Sequence, residues 1–276
     1  MSREKIQLGQ TVLNQSDNKV QGSFLEIDGE KFYRIEHYDQ MPDFFMTVVS
    51  DSDQWMFISS NGSLSAGRKD RDNALFPYYT DDKISDYYDL TGSKTVFLIQ
   101  RGSHTSLWQP FSKELANVYR TERNLLKSIY GNKIIFQERN LDLELEFQYG
   151  WFTSDKYGFV KKSRLVNSGD ESVNVRLLDG IRNILPGGAD YNFQNAYSNL
   201  LDGYKKSELI EETRLGLFLL SSIPVDKAEP SEALNATTVW SFGLADSKVL
   251  ISDKQLEKFI AGLSLKTETD VRASRG

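Results

Sequence analysis

The segment that decides the fold is NKIIFQERNLDLELEFQYGW, residues 132–151. From residue 141 to residue 149 apolar and polar side chains alternate without a break, the apolar ones being Leu141, Leu143, Leu145, Phe147 and Tyr149. Because successive side chains of a strand point to opposite faces, this period of two predicts a continuous β-strand with one dry face and one wet face.

Similar signals recur along the chain. Residues 20–38, VQGSFLEIDGEKFYRIEHY, predict a hairpin that turns at Asp28-Gly29. Residues 158–180, GFVKKSRLVNSGDESVNVRLLDG, predict neighbouring antiparallel strands across an NSGDES turn. Further short strands are predicted at FFMTVVS, QWMFISS and KTVFLIQRG.

Helix signals are fewer. Residues 190–207 have apolar spacing near 3.6 with Asp190 as a cap, and residues 252–262 begin at Ser252 or Asp253 and end near Gly262. The periodicities together indicate about a dozen strands and two or three short helices. The predicted fold is mainly β, a large two-sheet antiparallel sandwich.

Composition excludes several classes of function. The 276 residues carry a net charge of −6, which disfavours nucleic-acid binding and attachment to a membrane through a basic face. The chain has no cysteine and two histidines, and it lacks nucleotide-binding glycine motifs, so no metal and no cofactor is predicted. The first dozen residues lack the apolar segment of a signal peptide, which predicts a cytoplasmic protein.

The segment SSNGSLSAGRKDRDNALFPYYTDD, residues 59–82, fits no simple strand or helix pattern. A turn at Asn61-Gly62 leads into alternating charges, which are typical of a solvated loop. The aromatic residues that follow favour a second interpretation, a sugar-binding cleft in which rings stack on sugars and charged groups bind hydroxyls. The substrate-binding residues under this interpretation are Arg68, Asp70, Arg71, Tyr78 and Tyr79.

A second loop, RGSHTSLWQPF at residues 101–111, adds His104 and Trp108 to the predicted sugar-binding residues. The interpretation assumes that the Trp108 indole is exposed and available for stacking. The alternative is that Trp108 closes the edge of the core, and the sequence leaves both open.

Several ordered segments together resemble a known family. The segments are GSLSAGRKDRDNALFPYYTDD, IYGNKIIFQE, LLDGIRNILPGG and the terminal DVRASRG. They resemble the N-terminal β-sandwich of bacterial inverting glycoside phosphorylases, such as cellobiose and chitobiose phosphorylases, and of cyclic glucan synthase-like proteins. The resemblance covers the chain from about Gly22 to Gly276.

The resemblance implies a galactose mutarotase-like supersandwich over residues 1–265, with residues 266–276 beginning a linker to an (α/α)6 catalytic domain. It also implies an oligosaccharide or glucan as ligand, a homodimer, and no catalytic residue within this chain. The family's threonine-arginine-tyrosine ending is replaced here by ALFPYY, residues 74–79, so hydrolysis and phosphorolysis both stay open.

Two other functions stay open. A mutarotase-like epimerase would need a general acid and a general base at one sugar ring, for which His37 or His104 with Glu144 or Glu146 are the candidates. A purely structural or dimerisation module shares every feature of the sequence. A sandwich that packs on a second domain should expose an apolar patch when isolated, so we expect self-association.

Overall fold

A computed structural model of the chain describes residues 5–222 and 235–276. Of these residues 43% lie in strands and 14% in helices. The strand pairs are antiparallel, and the longest described helix, Asp253–Ile260, has 8 residues. The predicted mainly β class with antiparallel sheets and a few short helices is therefore confirmed.

The strands follow one another at short intervals. Their bounds are β1 Gln7–Leu8, β2 Thr11–Val12, β3 Gln21–Ile27, β4 Glu30–Glu36, β5 Phe45–Val48, β6 Gln54–Ser59, β7 Leu64–Arg68, β8 Gly92–Arg101, β9 His104–Trp108, β10 Thr121–Ser128, β11 Ile134–Asn140, β12 Leu145–Ser154, β13 Gly158–Asn167, β14 Asn174–Arg182, β15 Lys205–Ile210, β16 Leu215–Leu220, β17 Thr237–Trp240 and β18 Asp270–Arg272. The α-helices are α1 Asp81–Ile84, α2 Tyr191–Tyr197 and α3 Asp253–Ile260, and 3-10 turns lie at Tyr38–Gln40, Arg71–Asn73, Ser85–Tyr87, Ser198–Tyr204 and Glu211–Thr213.

The described residues fall into two compact units. Unit 1 comprises Ile58–Asn61, Thr95–Asp179 and the described part of Met1–Gln54. Unit 2 comprises Trp55–Phe57, Gly62–Lys94 and the described part of Gly180–Gly276. The predicted domain, residues 1–265, includes residues of both units, and its boundary stays a prediction.

Unit 1 is built on sheet A, whose strand order is β13-β12-β11-β10-β4-β3. The register between β11 and β12 pairs Phe136 with Tyr149 and Glu138 with Phe147. Phe136, Phe147 and Tyr149 are buried on one face, as the alternation of residues 145–149 predicts. Their rings pack directly, with the Phe136 and Tyr149 centroids 4.9 Å apart and nearly parallel.

The predicted continuous strand over residues 141–149 is wrong at its start. Residues 141–144 form the turn between β11 and β12, and Glu144 has a left-handed backbone with φ of 53°. Asn140 explains the turn, because its side-chain Oδ1 accepts from the backbone amides of Asp142 and Leu143. Alternation of leucines does not reveal this local hydrogen bonding.

The hairpin predicted at residues 20–38 is confirmed as β3 and β4. Asp28 and Gly29 both have positive φ, at 50° and 78°, which is the conformation a two-residue hairpin turn requires. Register pairs Ile27 with Glu30 across this turn.

The strands predicted as neighbours across NSGDES form at β13 and β14 but do not pair with each other. Strand β13 lies beside β12 in sheet A, whereas β14 belongs to a sheet with the order β14-β8-β9. The connection of six residues, 168–173, is longer than a tight hairpin loop, and it lets the chain enter another sheet. Asp179 on β14 accepts from Thr95 of β8 and Lys161 of β13, each at 2.6 Å.

Unit 2 is built on sheet B, with the order β17-β16-β15-β18. Alternate residues of β15 and β16 are buried, including Ser207, Leu209 and Phe218. A separate buried cluster is formed by Ala74, Leu185, Ala189 and Leu201, and Trp55 and Tyr78 pack against it.

Both predicted helices exist, and one is shorter than predicted. Helix α2 begins after Asp190, whose Oδ1 accepts from the Phe193 amide at 2.7 Å, and it gives way to a 3-10 turn at Ser198 and to strand β15 at Lys205. Helix α3 is capped by Ser252, which accepts from the Lys254 amide, and Gly262 follows it with φ of 71°. No helix in the described part of the chain is long and apolar enough to cross a bilayer.

Residues 266–276 include β18, which pairs with β15. The carbonyl of Gly276 accepts from the Asn183 amide at 2.6 Å, and Arg275 ion-pairs with Asp202 at 2.8 Å. These residues are therefore part of unit 2, and the linker predicted to begin here stays a prediction.

Candidate functional site

The charged segment after β7 is ordered by its own side chains. Asp70 Oδ1 accepts from the Asp72 amide at 3.1 Å and from Asn73 Nδ2 at 2.8 Å, which holds the 3-10 turn Arg71–Asn73. Asp70, Arg71 and Asp72 are exposed. The segment is thus a fixed turn that presents charged groups to solvent.

A row of aromatic rings lies beside this turn in unit 2. The Tyr78 ring stands edge-on to Trp55, with centroids 5.8 Å apart, and edge-on to Tyr191, with centroids 5.6 Å apart. Trp55 Nε1 donates to the Asp70 carbonyl at 3.2 Å, which ties the indole to the turn. All three rings are half-buried, so each keeps part of its surface open to solvent.

The charged turn and the aromatic row meet at Tyr191. The Arg71 guanidinium carbon lies 4.1 Å from the centroid of the Tyr191 ring, a cation–π arrangement. Asp72 Oδ1 accepts from the Tyr191 backbone amide at 3.2 Å. We call Trp55, Asp70, Arg71, Asp72, Tyr78 and Tyr191 the aromatic-charged cluster.

The cluster rests on a rigid base. Trp55 and Tyr78 pack against the buried residues Ala74, Leu185, Ala189 and Leu201. Gly67 is required here because a Cβ at this position would lie 2.6 Å from Trp55 Cζ2 and 2.7 Å from the Ala74 Cα. The Tyr78 amide donates to Gln194 Oε1 at 3.2 Å, which holds the backbone of Tyr78 against helix α2.

Tyr79 points to different partners from its neighbour Tyr78. Its ring stacks on Tyr87 with centroids 3.7 Å apart and planes 12° apart. Burial raises the pKa of Tyr79 to about 12, against the opposing effect of side-chain hydrogen bonds with Thr91 and Asn183. Tyr79 therefore belongs to a polar network inside unit 2.

That network continues to a buried lysine. Lys205 Nζ lies 2.8 Å from Asp202 Oδ1 and 3.4 Å from Asn183 Oδ1. Burial lowers the pKa of Lys205, although the Asp202 carboxylate opposes that effect. Arg275 is the second cation on Asp202, so two cations share this one carboxylate.

The loop residues His104 and Trp108 lie in unit 1. His104 begins β9 and is exposed, with its Nδ1 3.2 Å from Ser103 Oγ. The expectation that Trp108 is exposed is wrong, because the residue keeps 2% of its surface. Its ring stacks on Phe97 at 5.0 Å and its Nε1 donates to Glu138, so the indole is a core residue.

The epimerase candidates are distributed over unit 1. His37 has a left-handed backbone at the start of the 3-10 turn Tyr38–Gln40. Glu146 accepts from Gln137 Nε2 at 2.8 Å, and exposed Glu144 lies 4.0 Å from Arg101, the residue that pairs with His104 across the β8–β9 hairpin. Glu144 and His104 thus flank the same arginine on an exposed surface.

Of the predicted sugar-binding residues, the structure brings Asp70, Arg71 and Tyr78 together. Arg68, half-buried at the end of β7, precedes them. Sequence reasoning missed Trp55 and Tyr191 because both are distant along the chain. Trp55 lies on a strand 15 residues before Asp70. Tyr191 begins helix α2, 119 residues after Asp72. The one sequence signal near Tyr191 is LPGGADY, a turn that feeds the helix.

Within residues 5–222 and 235–276, no group of three or more histidine, aspartate or glutamate side chains is placed to hold a metal ion. A comparison with known family models finds none that matches the chain, and a comparison with curated proteins finds no match either.

Proposed function

We propose that the chain is a carbohydrate-binding domain of a glycoside phosphorylase or hydrolase and is not catalytic by itself. The observation that carries the proposal is the aromatic-charged cluster, in which the half-buried rings of Trp55, Tyr78 and Tyr191 adjoin exposed Arg71 and Asp72. Four members of the cluster, Asp70, Arg71, Asp72 and Tyr78, lie in residues 62–82, a segment whose sequence resembles the glycoside phosphorylase family.

The chemistry of the cluster suits a sugar. A pyranose ring has an apolar face that packs on aromatic surface and equatorial hydroxyls that need donors and acceptors at its edge. Arg71 offers donors and Asp72 offers acceptors within the same turn. Because Asp70 and Trp55 hold that turn in place, little conformational entropy is lost on binding.

In the proposed arrangement a separate (α/α)6 domain holds the catalytic acid, and the β-sandwich domain of residues 1–265 helps to line the sugar site. We propose gluco-oligosaccharides as the ligand class, on the strength of the family resemblance. Phosphorolysis or hydrolysis of a glycoside by residues 1–276 would contradict the assignment as a non-catalytic domain.

The test is calorimetry of the chain against a panel of gluco-oligosaccharides. We expect binding heat with wild type and an affinity about fivefold to tenfold weaker for Tyr191→Ala, because one stacked ring contributes about 1 kcal/mol. Tyr191 is preferred to Tyr78 as the test position, since Tyr78 also packs on the buried cluster.

The matched control is Tyr157→Ala. Tyr157 is 60% exposed in unit 1 and has Lys156 Nζ 5.2 Å from its ring centroid, so it reproduces an exposed tyrosine beside a cation. Tyr157→Ala should bind like wild type. Equal affinities of wild type and Tyr191→Ala, or no heat with any sugar of the panel, would contradict the proposal.

A further inference from the structure

Two cations of unit 2 share a single carboxylate. Lys205 Nζ lies 2.8 Å from Asp202 Oδ1, and Arg275 Nε lies 2.8 Å from Asp202 Oδ2. The three side chains together therefore carry one positive charge that they do not balance among themselves. Lys205 keeps 5% of its surface exposed, and a surplus charge beside a buried ammonium is costly unless an anion offsets it.

The neighbouring carboxylates already have cations of their own. Asp253 lies within electrostatic range of Lys205, but its two oxygens accept from Arg182 Nε and Nη2 at 3.0 and 3.1 Å. Arg182 also lies 3.8 Å from Asp89, which pairs with Lys94. This second set of ion pairs has two carboxylates for two cations, so it leaves the surplus where it was.

Hydrogen-bond donors are in surplus at the same place. An ammonium offers three N–H donors and a guanidinium offers five. In the described part of the chain Lys205 Nζ has two acceptors, which are Asp202 Oδ1 and, at 3.4 Å, Asn183 Oδ1. Arg275 donates to Asp202 through Nε, and its terminal nitrogens Nη1 and Nη2 have no acceptor among residues 5–222 and 235–276.

The two cations differ in their access to solvent. The Arg275 side chain keeps 31% of its surface exposed, whereas that of Lys205 keeps 6%. A ligand that arrives from solvent would therefore meet the guanidinium. The backbone holds this guanidinium in place, because the Arg275 carbonyl accepts from the Asp253 amide at 3.0 Å and the Ala273 amide donates to the Lys205 carbonyl at 2.9 Å.

We propose that Arg275 and Lys205 form a binding site for a small carboxylate, which Arg275 contacts directly. Asp202 occupies Nε of the guanidinium, so the edge formed by Nη1 and Nη2 is the one left for a ligand. Two N–H groups on one edge of a planar guanidinium match the two oxygens of a carboxylate. One carboxylate also brings one negative charge, which equals the surplus, whereas a dianion would exceed it.

A bound carboxylate would stabilise the charged form of the site. Burial lowers the pKa of Lys205 and the charge of Arg275 acts in the same direction, although Asp202 opposes both effects. A second anion would add to the effect of Asp202 and favour the protonated ammonium. The proposal does not rest on sugar binding at the aromatic-charged cluster, and either one can fail without the other.

An NMR titration of the whole chain with acetate at constant ionic strength tests the proposal. The backbone amide signals of Asn183, Lys205 and Arg275 should shift and saturate at about millimolar acetate, the strength expected of a ligand with so few atoms. Acetamide has nearly the same shape and no charge, so it should leave these signals unchanged.

Arg275→Lys keeps the positive charge and removes the planar edge. Its affinity for acetate should be about tenfold lower than that of wild type, because a charge-assisted hydrogen bond is lost. The matched control is Arg272→Lys, the same substitution three residues earlier. Arg272 is 67% exposed and has its own partner in Asp270, so this variant should bind acetate like wild type.

Lys205→Met tests the charge argument without altering the contact residue. It leaves Arg275 and Asp202 as a balanced pair, so the affinity for acetate should fall at least severalfold. No saturable shift with acetate, wild-type affinity in Arg275→Lys or Lys205→Met, an equal loss in Arg272→Lys, or tighter binding of sulfate than of acetate would overturn the proposal. Urea unfolding of each variant separates loss of binding from loss of fold.

Discussion

Trp108 Nε1 donates a hydrogen bond of 2.8 Å to the carboxylate of Glu138 inside the core of unit 1. Glu138 keeps 1% of its surface exposed and also accepts from Arg123 Nε at 2.7 Å and from the Phe111 amide at 2.6 Å. The indole is therefore part of a buried polar centre in which a tryptophan, an arginine and a backbone amide share one carboxylate.

Glu138→Gln should destabilise the protein strongly. The amide cannot balance the charge of buried Arg123, and breaking a buried ion pair from one side costs about 3–5 kcal/mol. Urea unfolding followed by tryptophan fluorescence measures the loss. Glu144→Gln is the control, because Glu144 is exposed and its ion pair with the exposed Arg101 spans 4.0 Å; it should change stability by less than about 0.5 kcal/mol.

An intact free energy of unfolding in Glu138→Gln would mean that Arg123 is solvated in solution. That outcome would reopen the interpretation of Trp108 as a loop residue with an accessible face.

Asp70→Ala should cost about 1 kcal/mol of stability, because the side chain caps the 3-10 turn Arg71–Asn73. Asp70→Asn keeps an oxygen acceptor at the same position and should cost much less. Thermal unfolding compares the two variants. If both variants lose stability equally, the carboxylate charge and not the capping hydrogen bond holds the turn.

Gly67→Ala should destabilise unit 2 by about 1–3 kcal/mol, since the added methyl would overlap Trp55 and the backbone of Ala74. The displaced indole should also weaken any ligand bound at the aromatic-charged cluster. Chemical unfolding and calorimetry measure the two effects.

The control for this substitution is Gly180→Ala. A Cβ at Gly180 meets nothing within 4 Å, and its φ lies outside the left-handed region, so the variant should be neutral or slightly more stable. Equal stability of the two alanine variants would show that Trp55 moves freely, contrary to the close packing described here.

The sequence predicts the β class well because alternation directly reports burial on one face of a strand. It fails at residues 141–144, where alternating leucines continue through a turn that the Asn140 side chain creates. It also fails to join Trp55 and Tyr191 to Arg71, because packing on the buried residues around Ala74 and Leu185 places Trp55, and a hydrogen bond from its own amide to Asp72 places Tyr191. Sequence proximity favoured Tyr79 and Trp108, whose side chains turn inward.

The stability of the protein should fall at alkaline pH. Burial raises the pKa of Tyr79 from 10.0 to about 12, so the folded protein holds this proton more tightly than the unfolded chain does. Between these two values the unfolded chain binds fewer protons, and stability therefore falls as pH rises. The contribution is complete below pH 10 and is lost by about pH 12, with a total of roughly 3 kcal/mol.

Urea unfolding of wild type and Tyr79→Phe at a series of pH values from neutral to strongly alkaline measures this loss. Phenylalanine cannot ionise, so the variant should lose less stability than wild type over the alkaline range, although at neutral pH it lacks the hydrogen bonds to Thr91 and Asn183. Tyr157→Phe, at an exposed position, should keep the wild-type dependence on pH. Parallel curves for wild type and Tyr79→Phe would show that Tyr79 is solvated, and the polar network that links it to Asn183 and Lys205 would then not form in solution.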